Sequence, residues 1–185
     1  MNNVKSTIQQ LIWAIAGFGL LYLSTKLSHD LVLGETIIPL TGQSLAVLVI
    51  GFSWPGWSGI LAIGLYLLVG GLGYPVFANG ASGWAAFQDS SGGYLFGFLI
   101  AGYFLRNLKI AGWGKSLGWI LGAMLVGTLL IMGFGSLRLV QLYGMEEGLK
   151  YGFWNLWPGA LVKLVVATLI CWGVGQLLAR ASRIK

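Results

Sequence analysis

The sequence predicts an all-α integral membrane bundle of six transmembrane helices, both termini cytoplasmic, with residues 1–185 forming a single domain. Three observations carry this expectation: an excess of apolar residues, apolar runs of bilayer length, and a lopsided placement of basic residues. Hydrophobic residues make up 57% of the chain and charged residues only 9%, with a mean hydropathy of +0.82. A soluble domain carries about a quarter charged residues, so this chain has too little polar material to wet a globular surface. The 30 glycines follow no G-X-Y period, and they suit helices whose backbones approach closely in lipid.

A helix needs roughly 20 apolar residues at 1.5 Å each to cross a bilayer. The first run extends from about Ile8 to Lys26, and a shorter second from about Ile37 to Phe52. A third covers Trp57 to Val69 with its flanking glycines, a fourth Gly93 to Leu105, a fifth Leu117 to Leu137, and a sixth Trp157 to Leu178. Ser53-Trp54-Pro55-Gly56 reads as a tight turn, because Pro-Gly punctuates helices. The first run is longer than a signal-peptide core and no A-x-A-like site follows it, so it counts as a helix.

Charge sets the expected orientation. With the N-terminus inside, Lys5, then Arg106, Lys109 and Lys115, then Arg180, Arg183 and Lys185 all fall on the inner side. Lys26, Arg138 and Lys150 fall outside with all 5 acids, namely Asp30, Glu35, Asp89, Glu146 and Glu147. The positive-inside rule therefore places both termini in the cytoplasm of a multi-pass cell (inner or plasma) membrane protein. No basic run exists, so nucleic acid is excluded as a partner and the lipid bilayer is the expected one.

Four polar clusters break the apolar pattern, all in the outer half. They are Pro39 to Ser44, with Thr41 and Gln43; Pro75 to Gly80, with Asn79; Asp89 to Tyr94; and Trp154 to Ala160, with Asn155, followed by Lys163. With Pro158 opening the sixth helix, Lys163 lies about 7 Å below that end. An intramembrane lysine faces a cavity or a partner, where it suits a carboxylate; the competing reading is snorkelling to the headgroups. Each other cluster also has a structural reading. Asp89, Ser90 or Ser91 caps the fourth helix, Thr41 and Gln43 bond across helices, and Asn79 forms a turn. Trp84, Tyr94, Trp154 and Trp157 are candidate pocket walls, although tryptophans also form the interfacial belt.

Catalysis lacks parts. His29 is the single histidine and Cys171 the single cysteine, so neither a metal site nor a nucleophilic relay can be assembled. Glu146 and Glu147 read as a solvated pair. Gly114-Lys115-Ser116 resembles the end of a phosphate-binding loop but lacks the glycine required at Lys109 and the preceding strand. Gly93, Gly97 and Ala101 form a small-residue face for internal packing.

Four runs resemble the BioY family over nearly the whole chain and in the right order. They are Pro39-Leu-Thr-Gly-Gln43, Leu65-Tyr-Leu-Leu-Val-Gly-Gly-Leu-Gly-Tyr-Pro-Val-Phe-Ala78, Gly92-Gly-Tyr-Leu-Phe-Gly-Phe98 and Trp157-Pro-Gly-Ala-Leu-Val-Lys163. The resemblance implies a six-helix, cofactor-free biotin binder, the substrate-binding S component of an energy-coupling-factor (ECF) transporter. It also implies a membrane coupling subunit and ATPase subunits as partners, although solitary function stays open. The implied pocket lies near the outer face under the loop between the third and fourth helices. In that family a loop Asn and a sixth-helix Asp-x-x-Lys element contribute, which here correspond to Asn79 and Lys163. The aspartate is replaced by Ala160, Ser90-Ser91 stands where Pro-Thr is usual, and the Ala-x-x-x-Ala pattern of the first helix is absent. Asp89 from the loop is one substitute for the missing carboxylate. A ligand other than biotin, another small carboxylate-bearing vitamin or metabolite, is the alternative.

Overall fold

The computed structural model describes residues 2–27, 29–33 and 36–183. Glu35 and the side chains of Lys5, His29, Asp30, Arg183 and Lys185, used above in the charge and metal arguments, lie outside what it describes.

Helix α1 covers Asn2–Ser24, and an antiparallel hairpin follows, β1 His29–Leu33 paired with β2 Thr36–Leu40. Then come α2 Gly42–Ser53 and α3 Ser58–Gly71, a single 3-10 turn Ala78–Gly80, and the short α4 Ala85–Gln88. Helix α5 runs Gly92–Leu108 and ends in a π-helical turn Lys109–Trp113. The long α6, Leu117–Tyr143, leads through α7 Met145–Leu149 and a second π turn Lys150–Trp154 into α8, Trp157–Arg183.

The bundle is thus helical apart from one short hairpin. The second span, expected from Ile37, is helical only from Gly42; residues 36–40 form a strand instead. The local sequence explains this, since Thr36-Ile37-Ile38 is β-branched and Pro39 lacks an N–H, as a two-stranded edge tolerates. The remaining helices start where expected, apart from α1, which begins earlier, and most extend further. Among the described residues four segments are long and apolar enough to cross a membrane: Ser6–Ser24, Gly92–Trp113, Leu117–Tyr143 and Met145–Ala181. Helices α2 and α3 are apolar but shorter, 12 and 14 residues, or roughly 18 and 21 Å.

Helix α2 sits in the middle of the protein. Ala46 to Ile50 and Phe52 are buried, and its neighbours are α1, α3, α5, α6 and α8. Close approach depends on missing side chains. A Cβ on Gly51 would lie 2.9 Å from the Gly102 Cα of α5, and one on Gly127 of α6 would lie 2.7 Å from Leu48. Helices α5 and α6 share the most extensive contact, with Gly93 and Gly97 against Phe134 and Ile131. The small-residue face of α5 is therefore internal packing. Helix α1, by contrast, leaves Ile8, Ile12, Ile15 and Leu23 exposed.

The two ends of the bundle differ. At the end holding the α2–α3 turn, Arg106 stacks 3.8 Å from the Trp57 ring and donates through Nε to Gly56 O at 2.7 Å. Lys109 Nζ donates to Ser53 O at 3.1 Å. Ser116 caps α6 by accepting from Trp119 N, at 3.4 Å, so the Gly-Lys-Ser run is a helix start. Cys171 is buried beside the Ser53 hydroxyl, which donates to its sulfur at 3.2 Å. The opposite end gathers the hairpin, the long 72–91 connection and the α6–α8 connection.

The 72–91 connection is held from below. The Phe77 ring fills the space a side chain on Gly70 would need, and it meets the Tyr66 ring edge-on at 5.3 Å. Gly83 N donates to Gly70 O at 2.7 Å, Tyr66 Oη donates to Val76 O at 3.0 Å, and the Arg138 guanidinium donates to Gln88 O.

Candidate functional site

Because α2 begins only at Gly42, it leaves a space between its start and the surrounding longer helices. That space is a cavity of about 430 Å³, within the usual range of small-molecule sites, about 300–1,000 Å³. Its walls are Gln43, Ser44 and Leu48 from α2, Tyr94, Leu95 and Phe98 from α5, Thr128, Ile131, Met132 and Leu139 from α6, and Ala160 and Lys163 from α8. Thr41, Ala78, Asn79, Ser90, Ser91, Tyr151 and Leu156 complete the lining near the loops. The depth is limited where Gly127 lets α6 close on Leu48.

Five of the residues singled out in the sequence come together here: Thr41, Gln43, Asn79, Tyr94 and Lys163. Ala160 and Lys163 lie three apart on α8 and so share a face. Lys163 Nζ donates to Ser44 Oγ at 3.2 Å. Among the described residues no Asp or Glu lines the cavity, so no described acid stands opposite the lysine there. An ammonium in that setting is suited to an anionic guest.

Gln43 is buried, and its Nε2 donates to Tyr66 Oη at 2.5 Å. Tyr94 Oη donates to Gly152 O at 3.0 Å, and its ring occupies the position of an absent side chain on Gly135. Asn79 is the one non-glycine with positive φ among the described residues, at φ 55° and ψ 22°. Asparagine tolerates this left-handed conformation better than most residues, so the turn and lining readings of Asn79 hold together. Thr41 precedes α2 in extended conformation and makes no side-chain cap.

Asp89, Trp84, Trp154, Asn155 and Trp157 are not in the lining. Asp89 is exposed and its Oδ1 accepts from Ser90 N at 2.7 Å. It therefore braces the turn before α5, whose N-cap position, Ser91, makes no side-chain cap bond. Trp84 and Trp154 are each 66% exposed and contact the neighbouring rings of Phe87 and Phe153. Asn155 is half-buried in the connection to α8, and Trp157 stacks on Phe153 at 5.4 Å. Two lining polar residues escaped the sequence reading, Thr128 and Tyr151. Thr128 is buried and its Oγ1 has no hydrogen-bond partner. The available signal was its position as the one threonine within a long apolar helix.

The chain was compared with known proteins. It is 29% identical to the biotin transporter BioY of Rhizobium etli over 161 residues, covering 83% of this chain and 86% of that protein. It is 32% identical to the biotin transporter BioY of Thermotoga maritima over 134 residues, covering 72% and 78%. The biotin transporter BioY of Rhodobacter capsulatus is 32% identical over 157 residues, covering 75% and 80%. Among solved structures, the S-component for biotin from an ECF-type ABC transporter superposes with a TM-score of 0.72 at 24% identity, covering 97% of this chain and 94% of that one. That likeness extends to the whole helical arrangement. The BioY family model matches residues 1–180, leaving almost nothing of the sequence outside it, and the chain belongs to the BioY family.

Proposed function

We propose that this protein takes biotin from the outer face of the cell membrane as the substrate-binding S component of an ECF transporter. The observation that carries the reading is Lys163, an ammonium in a cavity of small-molecule size with no Asp or Glu among its described lining residues. Biotin combines an apolar bicycle and tail with a carboxylate and a cyclic urea. Phe98, Leu95, Ile131 and Met132 offer the apolar wall, Lys163 the carboxylate contact, and Thr41, Gln43, Asn79 and Tyr94 the remaining polar contacts. Relatives named biotin transporter support the same ligand.

In this reading all six long helices are spans. Helices α2 and α3 fall short of a roughly 30 Å core, and α2 manages because protein surrounds it and the hairpin and cavity complete its height. Arg106 and Lys109 cluster at the end away from the cavity, and by the positive-inside rule this supports a cytoplasmic position for that end and both termini. The cavity then opens outward. Energy comes from a membrane coupling subunit with its ATPases.

A second reading, an S component or carrier for another small carboxylate-bearing vitamin, is favoured by one feature: Ala160 lines the cavity where the family resemblance calls for aspartate. Calorimetric titration of the detergent-purified protein with biotin and with lipoate separates the two. Saturable biotin binding without lipoate binding is the expected result. Lipoate binding alone transfers the protein to the second reading, and binding of neither acid refutes the proposed use of the cavity.

A further inference from the structure

A donor–acceptor count fixes the polarity of one cavity side chain. Tyr66 is fully buried at 0% exposure and does not line the cavity, yet its hydroxyl touches two groups. One is the Val76 carbonyl, 3.0 Å away, and the other is the Gln43 amide, 2.5 Å away. A carbonyl can only accept, so the single hydroxyl proton of Tyr66 is committed to Val76. What remains on the Tyr66 oxygen is a lone pair, and Gln43 must therefore present its NH2 to it. The donor–acceptor count thus requires the NH2 end of the amide to face Tyr66. Gln43 is a lining residue, and its carbonyl oxygen is the end of the amide not engaged by Tyr66.

Two other polar groups of the lining are already engaged. Ser44 Oγ accepts from Lys163, and Tyr94 Oη donates to Gly152 O. No carboxylate lines the cavity among the described residues, and Ala160 supplies no polar side-chain atom. We propose that Gln43 is the acceptor for a ligand N–H, a specificity-determining contact, and that Tyr66 is the positioning residue that holds its amide in the accepting orientation. The assignment rests on the biotin reading, since a cyclic urea offers two such N–H groups and a carboxylate tail offers none.

The test uses the purified full chain and three probes: biotin and the two analogues in which one ureido N–H is replaced by a ring oxygen. A site built around an N–H acceptor rejects a ligand that lacks the donor, because two oxygens then face each other. Wild-type protein is expected to bind one of the two analogues at least about tenfold more weakly than biotin. Gln43→Met keeps the length of the side chain and removes the amide, and is expected to shrink that gap to about threefold or less. Tyr66→Phe leaves the amide in place with its polarity no longer fixed, and is expected to narrow the same gap. Both variants should keep the wild-type preference for biotin over its methyl ester, which Lys163 supplies. An undiminished gap in Gln43→Met overturns the inference while leaving the biotin reading intact. Where Gln43→Met does not yield folded protein, an undiminished gap in Tyr66→Phe does the same. Failure of the wild-type protein to bind biotin removes the reading and the inference together.

Discussion

Lys163→Met removes the ammonium while keeping an unbranched side chain of similar length, and the structure sets the size of the effect. Lys163 Nζ has three N–H groups and spends one on Ser44 Oγ, at 3.2 Å. Two remain for a guest carboxylate, and no Asp or Glu competes among the described lining residues. A hydrogen bond to a charged group contributes about 1.5–3 kcal/mol. At about 1.4 kcal/mol per factor of ten, Lys163→Met should weaken biotin binding roughly 10- to 150-fold. Part of this loss is specific to charge, and a cycle isolates it. Calorimetry on both proteins with biotin and biotin methyl ester gives four affinities. The wild type should prefer the acid, and the variant should bind acid and ester within about threefold of each other. A variant that still prefers the acid by the wild-type margin would show that another group holds the carboxylate, and the argument from the cavity lining would be wrong.

Three further outcomes follow from named contacts. Asn79→Gly and Asn79→Ala should both weaken biotin binding, but only the alanine should also lower thermal stability, by about 1 kcal/mol, because φ is 55° there; wild-type affinity in both would remove Asn79 from the site. Gly135→Ala puts a methyl where the Tyr94 ring lies, so it should cost about 1–3 kcal/mol in a thermal melt and weaken binding. Gly133→Ala, with nothing within 4 Å, should do neither. Thr128→Val removes a buried hydroxyl without a partner, so the empty protein should gain roughly 1 kcal/mol in the same melt, and a loss instead would mean that the hydroxyl is bonded.

The helices were legible because hydropathy over long windows is a strong signal, and their starts at Ser58, Gly92, Leu117 and Trp157 followed from Pro, Gly and Ser punctuation. The second span was only half legible. Ile37 to Leu40 is as apolar as a helix segment, and its β-branched character and Pro39 were outweighed by hydropathy. At the site, Lys163, Gln43, Thr41, Asn79 and Tyr94 stood out as polar residues in apolar surroundings, and the fold gathers them. Asp89, Trp84, Trp154 and Asn155 share the same loops, yet chain proximity to a site does not decide which way a loop side chain turns. Asp89 turns back onto its own backbone, and the tryptophans lie over phenylalanines at the rim. Thr128 was passed over because a single hydroxyl hardly alters the hydropathy of a 27-residue helix. Tyr66 looked like one more core aromatic, and its role depends on two bonds to residues 23 and 10 positions away.

The bonds that seat the 72–91 connection share a property with a longer reach. Tyr66 ends on the carbonyl of Val76, Arg138 on that of Gln88, and Gly83 on that of Gly70, while Tyr94 secures the facing connection through the carbonyl of Gly152. A main-chain oxygen is present whatever side chain its residue bears. Mutation in the loop can therefore replace the residues that line the cavity, Ala78, Asn79, Ser90 and Ser91, without unfastening the backbone that presents them. Descent with single substitutions could then move such a protein from one small acid to a chemical cousin while its architecture stays put. A scaffold fastened in this way keeps its shape while the side chains that line its cavity change.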